Sequence, residues 1–117
     1  MINSKPDIYE ALSGDAVLAN FVQSRIYADK CPVGGQYPIV VYTEISNVPA
    51  LYADDAETDS LITIQISVLV NSGSTTEIAK QVNKIMTGIG YMRQFSGDLM
   101  DGEIKIKSMR FMTAQEE

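Results

Sequence analysis

Residues 61–70 read LITIQISVLV, and no other stretch of the chain limits its fold so tightly. Ile62, Ile64, Ile66, Val68 and Val70 share one face, Thr63, Gln65 and Ser67 take the other, and Leu61 and Leu69 stand at the ends. Side chains alternate faces along a strand, so this pattern describes a strand with one apolar and one polar face. Such a strand belongs in an antiparallel sheet open to solvent on one side. The apolar face then requires a cover from elsewhere in the chain.

The segment STTEIAKQVNKIMTGIG, from Ser74 to Gly90, supplies that cover. Ser74 or Thr75 can cap it, and Glu77 suits its first turn. Ile78, Val82, Ile85 and Ile89 recur at helical spacing with Met86 alongside, while Lys80, Gln81, Asn83 and Lys84 face water. Gly88 and Gly90 end it. Ile64, Ile66, Val82 and Ile85 are therefore expected at the centre of the core. Upstream, Asp7–Leu12 begins a helix with Pro6 in its first turn, and Asp15 caps a second short run carrying Val17, Leu18, Phe21 and Val22. Residues 28–38 read as loop. Ile39–Val48 alternates as a strand, with Ile39, Val41, Thr43 and Ile45 on one side and Val40, Tyr42, Glu44 and Ser46 on the other. PALYADDAETDS, residues 49–60, carries four acids and is expected to be a long exposed loop. GYMRQFSGDLMDGEIKIKSMRFM reads as a hairpin turning at Asp101-Gly102. A bulge at Ser108 would let both Ile104/Ile106 and Met109/Phe111 reach the core. The expected fold is α+β: a single antiparallel β-sheet packed on one face by helices, order α(α)-β-β-α-β-β, in one domain over 1–117.

Catalytic chemistry finds little support. The 117 residues include no histidine, which removes Cys–His and Ser–His pairs and any histidine-containing zinc site. Cys31 has only Lys30 as an adjacent cation to lower its pKa, and a single cysteine forms no intrachain disulfide. Asp54, Asp55, Glu57 and Asp59 lack the ligand spacing and the glycine of a calcium loop. The glycines at 34, 35, 88 and 90 match neither a P-loop nor a dinucleotide fingerprint. No catalytic residue, metal or cofactor is expected. The net charge of −6 opposes phosphate-backbone binding. Lys105, Lys107 and Arg110 are the one basic concentration, a possible contact face. No apolar run approaches the ~20 residues of a membrane span, and the N-terminus lacks the pattern of a signal peptide, so a cytosolic setting is expected.

The chain does resemble a family. A helical pair (IYEALSGDAVLANFV), RIY, a loop with Pro32 and the proline-led strand YPIVVYTEIS come first. The acidic segment, LITIQISVLV, one amphipathic helix and a closing strand follow. Between Ile8 and Phe111 this order and spacing are similar to the small tail completion or tail terminator proteins of long-tailed bacteriophages and prophages. The resemblance implies a homo-oligomeric ring, usually hexameric, that caps the tail tube protein and offers its other face to the head connector protein. DNA would pass through the lumen without specific binding. The setting would be the tail end of the virion, after assembly in the host cytoplasm. Asp54, Asp55, Glu57 and Asp59 would then form an assembly or lumen loop, meeting a neighbour's Lys105, Lys107 and Arg110 or lining the bore. The alternative is a small cytosolic module, monomer or dimer, that binds a peptide or ligand on the open sheet face. Oligomeric mass separates the two.

Since no group in the chain would activate Cys31, Cys31→Ser should leave folding and the yield of infectious particles unchanged. Particle titre and a melting curve check this, and loss of titre in a folded variant would contradict it.

Overall fold

The computed structural model describes residues 2–32, 34–53 and 56–116, with the backbone alone for 50–53 and 56–58. Among these residues the elements run α1 (Lys5–Ser13), α2 (Ala16–Val22), β1 (Ile26–Ala28), β2 (Ile39–Ala53), β3 (Ala56–Val70), α3 (Thr76–Gly88), β4 (Met92–Asp101) and β5 (Ile104–Glu116). The strands form one sheet in the order β1-β2-β3-β5-β4. The expectation of an α+β fold with a helix-covered sheet holds. The expectation of a purely antiparallel sheet in the order α(α)-β-β-α-β-β is corrected: an additional strand, β1, precedes the expected first one and lies parallel to β2, with Ile26 opposite Val40 and Ala28 opposite Tyr42. Three residues are too few to show a period, and the loop that follows carries the chain back to start β2 in the same direction.

β3 is the middle strand. Ile62, Ile64, Ile66 and Val68 are wholly buried and Val70 nearly so, beneath Ile78, Ala79, Val82 and Met86 of α3. Ile8 and Leu12 of α1, Leu18 and Val22 of α2, and Met109 and Phe111 of β5 complete the core. Asp15 caps α2 as expected: its carboxylate accepts from the Leu18 amide at 2.8 Å and from Gln81 Nε2 at 3.0 Å, which ties α2 to α3. At α3 the Ser74 hydroxyl accepts from the Thr76 amide at 3.1 Å, while Thr75 makes no side-chain cap. The helix sits slightly rotated from the expected face. Met86 is fully buried, Ile85 lies at the rim of the core and Ile89 is exposed.

Two local expectations are overturned. The described residues of that segment, 49–53 and 56–60, are strand rather than loop: β2 and β3 stay paired out to Ala53 opposite Ala56. Pro49 is tolerated because β1 has already ended at Ala28 and Tyr42, so the outer side of β2 needs no donor there. The Ser108 bulge is also absent. β5 pairs with β3 without a break from Glu116 opposite Asp59 to Lys105 opposite Val70, and the Ser67 and Ser108 hydroxyls lie 3.1 Å apart. Met109 and Phe111 therefore face the helices, and Ile104 and Ile106 face the other side. The irregularity sits in β4 instead, between Arg93 and Phe95. The turn is shifted by one residue, since Asp101 pairs with Ile104 and leaves Gly102, at φ 62°, and Glu103 to close the hairpin.

The non-helical face is less polar than expected. Ile39, Leu69, Ile106 and Leu99 form a row across four strands. Ile39 is fully buried there, under the loop that carries Pro32 and Gly35.

Ile66→Ala and Met86→Ala should each lower stability by about 2–5 kcal/mol, from lost transfer energy and the cavity left behind. Ile85→Ala should cost clearly less. Denaturant titration checks the ranking, and an Ile85 variant as damaged as Met86→Ala would contradict this packing.

Candidate assembly surface

The residues expected to act in assembly are not gathered in one place. Lys105 and Lys107 share the helix-facing side of β5, beyond the start of α3. Lys105 Nζ donates to the Gly73 carbonyl at 2.9 Å, and Lys107 pairs with Asp98 of β4 at 3.3 Å. With Ser74, Thr75 and Thr76 they border an open groove of about 400 Å³. Arg110 points to the opposite face. Its Nε donates to Gln65 Oε1 at 3.0 Å, and its guanidinium lies 5.9 Å from the centre of the Phe95 ring. An unbroken β5 separates 105 and 107 from 110, since odd and even positions face opposite ways. Of the acids, Asp54 and Asp55 lie outside the described residues. Glu57 is placed on β3 opposite Tyr52, and Asp59 is half-buried, opposite Leu51 and Glu116.

Cys31 is half-buried in the loop after β1, with its thiol 3.5 Å from the Pro32 carbonyl oxygen. The same loop is fastened by an arrangement the sequence did not announce. Lys5 Nζ reaches both carboxylate oxygens of Asp29 at 3.0 Å, and the Thr43 hydroxyl donates to Asp29 Oδ1 at 2.9 Å. Asp29 is 24 residues from Lys5 and 14 from Thr43, spacings with no local signature. On the other side of the loop, Arg25 Nε donates to the Pro38 carbonyl at 2.8 Å. The arginine of RIY thus clamps the entry to β2. The Lys5 ammonium, then the Thr43 hydroxyl, hold the Asp29 carboxyl below its usual range. Burial pushes the phenols of Tyr42 and Tyr91 above theirs. Among the described residues, no three His, Cys, Asp or Glu side chains are placed to hold a metal ion.

What the surface does offer is apolar. Met92, Phe95, Leu99 and Met100 of β4 are 69, 52, 63 and 60% exposed. Met92, Phe95 and Leu99 share one face while Met100 takes the other, and the sequence hid that row because the irregularity after Arg93 spaces Met92 and Phe95 by three residues and breaks the two-residue period.

The tail completion protein gp17 family matches residues 6–112. The chain belongs to that family. Membership of the tail completion proteins gives it a structural role in the assembly of phage-like tails. The fold is also similar to a chain in the structure titled "Virion of native gene transfer agent (GTA) particle". The TM-score is 0.65 at 17% identity, covering 94% of this chain and 92% of that one. No curated protein sequence matches it. No helix among the described residues is long and apolar enough to cross a membrane.

Asp29 should titrate below the ordinary carboxylate value near 3.8, and Lys5→Met should raise its midpoint. A carboxyl depressed by folding contributes stability that is present above its unfolded pKa and lost as pH falls through its lower folded one. Removing Lys5 should therefore weaken the loop attachment at neutral pH and leave little difference in strong acid. Carboxyl chemical shifts followed through the titration check this. A midpoint unchanged by Lys5→Met would contradict it.

Proposed function

We propose that this tail completion protein caps the end of a tail tube as a ring of about six copies and joins it to the head connector. The match over residues 6–112 carries the reading. The sheet supports it, since rigid strands with uncovered edges suit a part that is completed by its neighbours. In this reading DNA passes through the bore without being held. A net charge of −6 per copy favours passage over adsorption.

The acids Asp54, Asp55, Glu57 and Asp59 are assigned to the wall of that bore. Pairing with a neighbour's basic face is disfavoured because Lys105, Lys107 and Arg110 already have partners within the chain, and no one surface could engage all three. Recruiting them would break existing contacts for exposed ion pairs worth little.

The test combines mass with charge. Native mass spectrometry of tube ends saturated with the protein should show a single ring of about six copies. Neutralising the four acids to Asn or Gln should leave ring mass and its salt dependence unchanged while lowering DNA delivery. Rings that dissolve on neutralisation, or that weaken steeply as salt rises, would overturn the bore assignment in favour of pairing between subunits. Failure to bind tube ends at all would overturn the function.

A further inference from the structure

The two edges of the sheet are unequal but complementary. β4 forms one edge and, among the described residues, has no strand on its outer side. Met92, Phe95 and Leu99 lie opposite Met112, Arg110 and Ile106, which sets all three on the non-helical face. At the other edge β1 covers β2 only from Val40 to Tyr42. Among the described residues no strand pairs with the outer side of β2 from Thr43 to Ala53, and Ile45 and Val48 within it are 43 and 46% exposed. Val48 opposes Leu61 and so shares the non-helical face with the β4 row.

We propose that β4 of one copy adds onto the uncovered stretch of β2 of the next copy, joining the sheets edge to edge. The backbone groups of two lone edges then satisfy each other. Matching the two faces makes the added strand antiparallel, and setting Leu99 beside Val48 brings apolar side chains together on the non-helical face. The contact uses a different patch on each partner, the head-to-tail type that generates rings when the rotation closes. A twofold pairing of β4 with itself would leave β2 bare and could not propagate. A ten-residue strand is only about 33 Å long. One such contact falls short of the roughly 800 Å² per partner of a stable interface. Closure gives every copy two, which favours the completed ring over partial arcs. The inference rests on the ring reading and names the surfaces that would build it.

Two tagged variants of different mass test it, both in a Cys31→Ser background: Leu99→Cys on β4 and Val48→Cys on β2. Both positions are exposed, so folding should survive, and circular dichroism confirms it. A short bis-maleimide is applied to the mixture in solution at high concentration and on tube ends. The expected product is the mixed cross-link, with neither variant linking to itself. Asp101→Cys mixed with Ser46→Cys, two residues along in the same antiparallel register and on the same face, should give the same result and covers the failure of either first variant to fold. Self-linking of Leu99→Cys overturns the proposal in favour of a twofold contact. Rings of normal mass without a mixed cross-link overturn it and leave the ring reading standing. A chain that neither forms rings nor cross-links overturns both.

Discussion

Everything in this fold is arranged around the buried face of β3. Five aliphatic side chains, from Ile62 to Val70, stand in one row on the middle strand, covered by α3 above and flanked by β2 and β5. Burying such a side chain contributes roughly 1.5–3 kcal/mol, so the row together rivals the net stability of a typical domain. Its neighbours inherit their orientation from it. The unbroken register with β5 sends Met109 and Phe111 inward, and it is the same register that puts Lys105 and Lys107 on one face and Arg110 on the other. A slip of one residue would turn Ser108 and Arg110 toward the core and expose Met109 and Phe111.

The parts of the fold legible in the sequence are those whose own pattern decides their environment. LITIQISVLV and the helix around Val82 each carry a clean period, and the Asp15 cap is a local hydrogen bond between near neighbours. The parts that escaped are decided by a partner strand. β1 is three residues long and exists only because β2 lies beside it. The acidic segment looked like a loop because charge argues against burial, yet its described residues, 49–53 and 56–60, pair as strand. Ser108 was expected to bulge so that four apolar residues could share one core. The protein instead accepts Ile106 on the other face, in a row with Leu69 and Ile39 that the loop through Pro32 covers at one end. Of the candidate site, the single residues were visible and their grouping was not. Parity along β5 decides that grouping, and a postulated bulge reversed it.

Function follows from what the sheet leaves undone. Its middle is saturated, with strands on both sides and helices above. Its edges are not, and its largest exposed apolar side chains include four on β4. In the proposed ring, edges left bare in the free chain are the surfaces that a neighbouring copy would take. The clamps at Arg25 and at Lys5–Asp29–Thr43 hold the start of β2 in place, leaving its far end free to engage.

Hydrogen exchange measured on the free chain and on the same chain seated at a tube end tests this most directly, because it reports how well each backbone amide is covered. The account predicts that β3 amides between Ile62 and Val70 exchange slowly in both states. Outward-facing amides of β4, and those of β2 beyond Thr43, should exchange fast in the free chain and become slow on the tube. Edge amides already as slow as those of β3 in the free chain, or unchanged on the tube, would contradict it.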